Sequence, residues 1–443
     1  TSETNLTPLD IVRFTSAYAQ WLTQTNKGKL TVVTGRDARI SGNMVHSLVN
    51  QTLVGMGVNV INLELSTTPT VALLVALENA HGGIVLTASH NPKQWNALKL
   101  LNEKGEFIDA DAGAQVLKFA SDESFEYATI DHLGKISVRT NAIQQHIDDC
   151  LKMKWVQTEQ IKKTPFKVVV DGVNSSGGIA IPALLESLGV EVVKIHCNPN
   201  GEFPHNPEPL KEHLTDLCEG VVTHKADFGI AVDPDVDRLV FVDEMGVLFG
   251  EEYTLVACAD YILGKNPGAT VSNLSSTRAL ADITIAYGQS YTASAVGEVN
   301  VVTEMKNSKA VIGGEGNGGV IYPDSHYGRD ALVGVVLFLS LLVERKLSVS
   351  QLRATYPKYF MSKNKINLLQ GMDVDGILKK LEQNYSNERV TTIDGLKIDF
   401  EKAWIHLRKS NTEPIIRIYT EAKTQQEAAA LAERFDKEIK ALF

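Results

Sequence analysis

Cysteine is scarce in this sequence, and no cysteine is placed for a zinc site or a disulfide framework. The four that occur, Cys150, Cys197, Cys218 and Cys258, stand far apart in a chain of 443 residues, and no CxxC pair is present. Structural zinc sites require closely spaced pairs, and four thiols are too few to cross-link a chain of this length. We therefore expect a protein of a reducing compartment, the cytoplasm.

Positive charge and long apolar segments are also in short supply. The 43 Lys and Arg residues are outnumbered by 53 Asp and Glu residues, which gives a net charge of −10. This balance argues against a nucleic-acid surface and against a surface for anionic membranes. The longest strongly apolar stretch, Ala331 to Val343, is shorter than the ~20 residues that a membrane-spanning helix needs. We expect no nucleic-acid partner, no membrane partner and no signal peptide, so that any anionic ligand is held by local basic groups.

Repetition is the main organisational signal in the chain, whose length is about three times that of a typical domain. A β-branched strand over 30–37 is followed by a helix and a second strand, and the same order returns from residue 166. A third, weaker copy covers 269–297. Strands that alternate with helices in this way predict α/β domains with largely parallel sheets.

The pattern changes after Pro357, where a strand, a helix, two paired strands and a final helix follow one another. This order indicates a smaller α+β domain. The predicted fold class is therefore α/β, with three similar α/β domains that have mixed, mostly parallel sheets, plus a smaller C-terminal α+β domain. The predicted domains cover residues 1–140, 141–245, 246–355 and 356–443.

The first segment with chemical potential is VLTASHNPKQWNALKL, residues 85–100. Its apolar start predicts a strand that ends near Ser89, because Pro92 stops a strand and can open a helix. His90 is a possible proton acceptor beside the serine, and Lys99 supplies a cation in the same turn system. On spacing alone, an ordinary turn serine is the slightly favoured interpretation. The GxSxG pattern of serine hydrolases is absent here.

The second segment, FGIAVDPDVDRLVFVDEMG, carries Asp233, Asp235 and Asp237 at alternate positions. Carboxylates this close repel one another, and a hard divalent cation relieves the repulsion. The apolar strands on both sides bring the carboxylates together at sheet ends, which argues against a solvated acidic turn. An EF-hand would need helical flanks and a glycine where Arg238 stands. We predict a magnesium site, with Arg238 beside it as an anion ligand.

The third segment, AVIGGEGNGGVIYPD, contains a glycine pattern that resembles a dinucleotide fingerprint. A fingerprint must open a helix, but this chain continues as an extended segment to Pro323. The glycines would let the backbone approach a ligand, with Glu315 and Asn317 bonding to its hydroxyls, so a sugar fits better than a dinucleotide. A plain glycine-rich turn is the alternative. The glycines of the GxGxxG pattern are Gly314, Gly316 and Gly319.

The fourth segment, LRKSNTEPIIRIYTEA, predicts two strands joined by a polar loop. Its charged forks, hydroxyls and loop N–H groups are the usual ligands of a phosphate. An ordinary hairpin with a Ser/Asn turn is the alternative, and the arginines on both sides of the loop favour the phosphate. The candidate ligands are Arg408, Ser410, Asn411, Thr412 and Arg417.

In this order and spacing, the four segments resemble the α-D-phosphohexomutase family over essentially the whole chain. TASHNP is similar to the family's phosphoserine loop, DPDVDR to its magnesium loop, GEGNGG to its sugar-recognition loop and RKSNTEP to its phosphate-binding loop. Members of the family place three similar α/β domains and a smaller C-terminal α+β domain around one central cleft. The resemblance therefore implies the domain organisation that the repetition predicts.

The resemblance also implies an activity: interconversion of a hexose 6-phosphate and a hexose 1-phosphate through a 1,6-bisphosphate. Ser89 would carry a covalent phosphate, and one Mg²⁺ per chain would bind to it and to the three aspartates. Lys99 and Arg238 would neutralise charge, and His90 and Lys99 would act as general acid and base. The sugar phosphate, a small molecule, would be bound by Glu315, Asn317, Arg408, Ser410, Asn411, Thr412 and Arg417.

Departures from the family pattern bear on the substrate. Many members that act on glucose or mannose phosphates have GEMSGH in the sugar loop, whereas Asn317 and Gly319 stand here at the places of its serine and histidine. Together with NLSSTR near residue 275, GEGNGG is more similar to phosphoglucosamine mutases. Glucosamine phosphate therefore ranks first, and glucose or mannose phosphate second. His326 either replaces the absent histidine or, as we favour, is a surface residue.

The family's N-terminal arginine loop has no counterpart here. Arg36 and Arg39 after the first strand are a further basic candidate of lower weight, and they could equally be surface charge. Two functions from other classes compete with the mutase. One is a nicotinamide-dependent dehydrogenase based on the three glycines, and the other is a non-catalytic, metal-dependent sugar-phosphate-binding protein without a working Ser89. The sequence carries no signal for an oligomeric state.

Overall fold

Three of the four sheets share one topology in the computed structural model, which describes residues 6–367, 373–409 and 415–442. In each of them, a first strand pairs in parallel with a second and a third, and a fourth strand adds antiparallel at the edge. The fourth sheet is antiparallel throughout. The predicted fold class, three similar α/β domains and a C-terminal α+β domain, is confirmed.

The first domain has the strand order β4-β3-β1-β2-β5, in which β5 extends the shared topology by one parallel strand. Helix α1 begins at Pro8, and the preceding Thr7 forms a capping box with Asp10. A 3₁₀ turn covers Ile130–His132. The elements are α1 (Pro8–Thr25), β1 (Thr31–Arg36), α2 (Gly42–Gly55), β2 (Asn59–Leu65), α3 (Thr68–Leu77), β3 (Gly82–Leu86), β4 (Leu98–Leu101), α4 (Ala110–Asp122) and β5 (Ile136–Val138).

The second domain has the order β7-β6-β8-β9. The central strand β8 and the edge strand β9 are buried along their whole length, which explains why they read as continuous apolar runs. A 3₁₀ turn covers Lys211–His213. The elements are α5 (Ala142–Lys152), α6 (Thr158–Lys162), β6 (Lys167–Asp171), α7 (Gly177–Ser187), β7 (Glu191–Ile195), α8 (Thr215–His224), β8 (Phe228–Val232) and β9 (Leu239–Asp243).

The third domain has the order β11-β10-β12-β13. Its apolar helix α12 is buried in a core that the second and third domains share. Within the described residues, no helix is long and apolar enough to cross a membrane. The elements are α9 (Glu251–Lys265), β10 (Thr270–Asn273), α10 (Ala279–Ala286), β11 (Tyr291–Ser294), α11 (Glu298–Ser308), β12 (Ile312–Glu315), β13 (Gly319–Ile321), α12 (Ala331–Arg345) and α13 (Val349–Ala354).

The fourth domain has the antiparallel order β14-β18-β17-β16-β15, and α14 and α15 pack in its separate core. Amphipathic patterning explains both helices, because each buries one apolar stripe and exposes a charged one. The elements are β14 (Phe360–Asn367), α14 (Val374–Asn384), β15 (Arg389–Thr391), β16 (Leu396–Asp399), β17 (Trp404–Lys409), β18 (Ile415–Ala422) and α15 (Gln425–Lys440).

Candidate functional site

A cleft of about 1040 Å³ receives side chains from all four domains. The first three domains reach it through the loops that follow β3, β8 and β12, because the carboxyl ends of parallel strands are where such sheets place ligands. The predicted site residues Ser410, Asn411 and Thr412 lie outside the residues that the structure describes. The predicted residues that line the cleft are His90, Arg238, Glu315, Asn317, Arg408 and Arg417.

Ser89 lies in the loop after β3, next to His90, which lines the cleft. Its φ of 49° places it in the left-handed region, which residues other than glycine seldom adopt. The Thr87 hydroxyl accepts a hydrogen bond from the Ser89 backbone N–H at 2.8 Å. The Ser89 hydroxyl in turn donates to Asp233 Oδ2 at 2.7 Å. The structure therefore joins the predicted serine loop to the predicted metal loop.

Arg39 supports this serine loop from below. Its side chain is buried and paired with Asp37 at 3.0 Å. Its guanidinium also donates to four backbone carbonyl groups of the serine loop at distances of 2.5–2.9 Å. These carbonyls belong to Ser89, Asn91, Pro92 and Trp95.

The surface-charge interpretation of Arg39 is therefore wrong, whereas Arg36 is half-buried and donates to the Asp37 carbonyl. A buried guanidinium needs several acceptors, and the loop backbone supplies them. An Asp two residues before an Arg at a strand end is the signal that could have indicated this pair.

The three aspartates Asp233, Asp235 and Asp237 are completely buried between β8 and β9. One oxygen of each carboxylate is held by the protein. Asp233 Oδ1 accepts two backbone N–H groups at 3.1 Å. Asp235 Oδ2 accepts from Thr68 and, at 2.6 Å, from Lys99. Asp237 Oδ2 accepts from Lys99 at 3.1 Å and from a further residue, Arg329, at 2.7 Å.

The second oxygen of each aspartate is oriented differently. Asp233 Oδ2 accepts only from the Ser89 hydroxyl among the bonds of the described residues, and in the same set Asp235 Oδ1 and Asp237 Oδ1 have no hydrogen-bond partner. Buried carboxylate oxygens are costly without a partner. Ligand oxygens of the three residues lie within 4.8 Å of one another. A hard cation such as Mg²⁺ fits this donor set.

The three buried carboxylates of the triad influence one another's pKa values, and nearby cations influence them as well. Burial, followed by the charges of Asp237 and Asp235, raises the pKa of Asp233 well above its usual value. Burial acts in the same direction on Asp237, but Arg329 and Lys99 overcome it and hold its pKa below the ordinary range. The carboxylates thus depend on nearby positive charge.

His90, Lys99 and Arg238 surround the serine and the triad. His90 Nδ1 lies 3.4 Å from the Ser89 hydroxyl. Burial and then the charge of Arg238 lower the pKa of His90 to about 4, so its ring is neutral at pH 7. For Lys99, burial is outweighed by Asp235 and Asp237, which raise its pKa above the ordinary value. One group can accept a proton and the other remains a cation.

The glycine-rich segment forms a tight hairpin, because β12 pairs with β13 and Glu315 is opposite Gly319. It opens no helix, unlike a dinucleotide fingerprint. A Cβ at Gly314, where φ is +155°, would lie 2.0 Å from a backbone oxygen of Gly319. The Glu315 carboxylate is held by Asn273 at 2.9 Å and by the Gly297 N–H at 3.2 Å.

The His326 side chain is only 9% exposed, which corrects the favoured interpretation as a surface residue. It lines a separate pocket beside Tyr327. Its Nε2 lies 3.0 Å from Asp330 Oδ2, and His146 Nε2 lies 2.8 Å from the same oxygen. This cluster joins α5 to the start of α12.

In the fourth domain, Arg408 on β17 is directly opposite Arg417 on β18, and both reach the cleft. Asp394 accepts from Arg408 Nε at 2.9 Å and from the backbone N–H of Val296 at 3.0 Å. This carboxylate therefore ties the predicted phosphate-binding strand to the third domain.

Sequence reasoning missed several cleft residues that the structure brings to the predicted ones. They contact the triad, Glu315 or Arg329 from distant parts of the chain, which no local pattern indicates. The Arg-Asp pair before an apolar helix is the signal that could have pointed to one of them, because Asp is a common helix cap. The missed residues are Thr68, Asn273, Glu298 and Arg329.

Comparison with known proteins gives a consistent result. The chain matches the models of domains I, II and III and of the C-terminal domain of phosphoglucomutase/phosphomannomutase over residues 1–127, 144–246, 250–359 and 362–438. It is 34% identical to a phosphoglucomutase/phosphomannomutase of Thermococcus kodakarensis, over 96% of this chain and 92% of the relative. It is 32% identical to a phosphoglucosamine/phosphogalactosamine mutase of Sulfurisphaera tokodaii, over 98% and 95%. A crystal structure of a phosphoglucomutase/phosphomannomutase family protein from Burkholderia thailandensis superposes with a TM-score of 0.84 at 26% identity, covering 98% of this chain and 93% of that one.

Proposed function

Because the chain belongs to the phosphoglucomutase/phosphomannomutase family, we propose that it interconverts a hexose 6-phosphate and a hexose 1-phosphate, with glucosamine phosphate as the preferred substrate. The observation that carries this proposal is the 2.7 Å contact between the Ser89 hydroxyl and Asp233 Oδ2, next to a cleft that four domains line. It joins a nucleophile to a cation site where a sugar phosphate has room to bind.

In the proposed reaction, Ser89 carries the phosphoryl group that is transferred. The bond between phosphorus and Ser89 Oγ breaks while a bond forms to the free hydroxyl oxygen of the bound sugar phosphate. The proton of that hydroxyl passes to His90, whose ring is neutral at pH 7. Ser89 Oγ, which leaves, takes up this proton from His90. In the return step from the resulting 1,6-bisphosphate, the bond between the other phosphorus and its sugar oxygen breaks while a bond forms to Ser89 Oγ, and the serine proton passes to the sugar oxygen that is released.

The charges of the cleft serve this transfer. Magnesium bound by Asp233, Asp235 and Asp237, with an oxygen of the Ser89 phosphate, would neutralise charge on the transferred group. Lys99 remains protonated and Arg238 lines the cleft nearby, so both can bind phosphoryl oxygens. Arg408 and Arg417, with the loop residues Ser410, Asn411 and Thr412, would bind the phosphate that is not reacting.

The choice of an amino sugar rests on the sugar side of the cleft. The side chains of Glu298 and Glu315 line it, and carboxylates are good partners for the ammonium group of glucosamine. The name of the Sulfurisphaera tokodaii relative supports the same choice. The name of the Thermococcus kodakarensis relative supports the second candidate, a phosphoglucomutase/phosphomannomutase with the same chemistry.

Intact-mass measurement with and without phosphatase treatment tests the phosphoserine. We expect a phosphatase-sensitive added phosphoryl group that is lost in Ser89→Ala, together with an activity loss of about 10³-fold or more. Ser47→Ala, at an exposed position on α2, is the matched control and should retain both. An active Ser89→Ala would disprove the mechanism, and a wild type without mutase activity would support a non-catalytic binding protein.

A coupled activity panel tests the substrate. Glucosamine 6-phosphate, glucose 1-phosphate and mannose 1-phosphate are compared in one preparation, because selectivity is a ratio of kcat/KM values. We expect the amino sugar to be preferred by about tenfold, which corresponds to ~1.4 kcal/mol. A higher kcat/KM for either neutral sugar would contradict the choice of substrate and leave the mutase intact.

A further inference from the structure

Arg329 lies between the metal loop, residues 233–238, and the sugar hairpin, which β12, β13 and the turn between them form. Its guanidinium reaches both. Nη2 is 2.7 Å from Asp237 Oδ2, and Nη1 is 2.9 Å from Glu315 Oε2. Nε is 2.7 Å from Glu298 Oε2 at the start of α11. The side chain is only 10% exposed. A single buried cation therefore bridges one carboxylate of the proposed cation site and one of the proposed sugar site.

The backbone that carries Arg329 is held firmly. Arg329 pairs with Ile321 at the end of β13, and the Asp330 N–H donates to the Val320 carbonyl at 2.8 Å. Asp330 Oδ1 caps α12 by accepting the N–H of Leu332 at 2.8 Å. The other oxygen of Asp330 is bound by the two histidines described above. The guanidinium is thus presented from a rigid base and not from a free loop.

Two backbone bonds join the same two loops and limit their relative movement. The Ala331 N–H donates to the carbonyl of Val236, within the metal loop, at 3.2 Å. The Leu239 N–H, at the start of β9, donates to the carbonyl of Gly318 in the sugar hairpin at 3.1 Å. The metal loop and the sugar hairpin therefore form one connected unit, with Arg329 as its charged link.

Each of the carboxylates of Asp237 and Glu315 uses one oxygen to bind Arg329, and its other oxygen has a different environment. Arg329 and Lys99 occupy Asp237 Oδ2, which leaves Oδ1 as the oxygen for a metal. On the sugar side, Arg329 holds Glu315 Oε2 while Asn273 holds Oε1. An arginine can do this because its fork of five donors serves several acceptors in fixed geometry, whereas a lysine ammonium presents a single point charge.

We propose that Arg329 is a positioning residue that couples cation binding at the aspartate triad to sugar-phosphate binding at Glu315, an inference that rests on the proposed function. Each ligand contacts a carboxylate that the same guanidinium holds, and the loops that carry these carboxylates form one connected unit. The ligand that binds first therefore meets the cost of adjusting both carboxylates to their ligand-bound positions, so the second ligand binds more tightly. Linkage requires the effect to be equal in both directions.

Calorimetric titration of Mg²⁺ into the phosphatase-treated protein, with and without saturating glucosamine 6-phosphate, tests this proposal without relying on turnover. For the wild type, we expect the sugar phosphate to lower the Kd for Mg²⁺ by about fivefold or more. For Arg329→Lys, we expect Mg²⁺ binding alone to weaken by about 10- to 100-fold and the effect of the sugar phosphate to vanish. A wild type without coupling, or Arg329→Lys with unchanged affinity and coupling, overturns the proposal.

Two further variants make the result specific. Arg345→Lys alters an ion pair with Asp260 at the other end of α12 and should behave as the wild type. Glu298→Gln removes one arm of the network without altering Asp237 or Glu315, and it should lose part of the coupling while folding normally. Full coupling in Glu298→Gln together with Arg329→Lys would overturn the inference. The Ser89 mass assay is independent, so failure of the proposed function is recognised separately.

Discussion

At the scale of single residues, the cleft is defined by ionisable groups that are buried next to one another. Glu252 at its edge is 8% exposed, and its Oε2 accepts the Thr277 N–H at 2.8 Å. A Cβ at Gly316 would lie 2.0 Å from the same oxygen, so any larger residue at this position would displace the Glu252 carboxyl. Burial raises the pKa of Glu252 to about 8, with a smaller opposing effect of Lys363.

This pKa predicts how stability depends on pH. Between its usual value of 4.5 and about 8, the folded protein keeps a proton on Glu252 that the unfolded chain releases. The free energy of unfolding therefore falls with rising pH in this window, by about 1 kcal/mol or more from this group. Glu252→Gln should gain stability relative to the wild type between pH 5 and pH 8.5, as measured by urea unfolding. Glu401→Gln, at an exposed position, is the control, and a pH-independent difference for Glu252→Gln would contradict the argument.

Arg39 allows a second prediction at this scale, because it fixes the serine loop without lining the cleft. Lysine keeps the charge beside Asp37 but cannot bond to four carbonyls at once. We expect Arg39→Lys to lower kcat by about 10²-fold through misplacement of Ser89, with little change in KM. Steady-state kinetics check this, with Arg36→Lys as the neighbouring control. Wild-type kcat in Arg39→Lys would show that the loop does not need this support.

The role of a residue could be inferred from the sequence where it depends on neighbours along the chain. It could not be inferred where it depends on residues that are distant along the chain. The spacing of Asp233, Asp235 and Asp237 between two apolar strands predicts a cation site. The role of Arg329 depends on its contact with Asp237, which is distant along the chain. The role of Arg39 depends on its bonds to the backbone from Ser89 onwards. His326 was misjudged for the same reason, since its partner His146 lies on another domain's helix.

At the scale of elements, α12 is the helix that organises the centre of the molecule. Its buried N-cap, Asp330, accepts from His146, which also contacts the Thr70 hydroxyl on α3 at 2.9 Å. One hydrogen-bonded cluster thus joins α3, α5 and α12. Burial lowers the pKa of His146, but the charge of Asp330 outweighs it and raises the pKa well above the usual value.

The His146 cluster also predicts a free energy of unfolding that falls with rising pH, as for Glu252. The cause differs, because an ion pair raises the pKa of His146 whereas burial raises that of Glu252. Below about pH 6.5 the histidine is charged in both states, and the ion pair stabilises fully. As the pH rises towards the folded-state pKa, the unfolded chain loses the proton first, so this contribution declines. His146→Gln should destabilise by about 3 kcal/mol at pH 6 and by less at pH 9. His224→Gln is the exposed control, and an equal loss at both pH values would refute the prediction.

Elements with strong periodicity were predicted, and short edge strands were not. The repeated strands β1, β6 and β10 and the C-terminal order follow from apolar patterning. Strand β4 covers only Leu98–Leu101 and falls largely within the segment that the sequence predicts as the serine loop. So short a strand is defined by its antiparallel partner β3 and not by its own residues. Strand β5 is an exposed three-residue strand that depends on β2 in the same way.

At the scale of the whole molecule, the hydrophobic cores do not correspond one to one with the four domains. The second and third domains share a continuous core in which Phe241 stacks on Phe338 of α12 with a centroid distance of 3.7 Å. The fourth domain has its own core, and its contacts with the third are mainly polar, as in the bonds from Lys397 to the Leu274 carbonyl and between His406 and Ser275. Small polar interfaces between domains permit relative movement.

This arrangement predicts at least two calorimetric unfolding transitions, with the second and third domains melting together and the fourth melting separately. Leu381→Ala in α14 should lower only the fourth-domain transition, and Leu263→Ala in α9 only the shared one, each by about 2–5 kcal/mol of stability. Saturating sugar phosphate should raise the fourth-domain transition most, because Arg408 and Arg417 would bind the phosphate across the cleft. A single transition that both variants lower equally would show that the interface between the domains, polar as it is, makes the chain unfold as one unit.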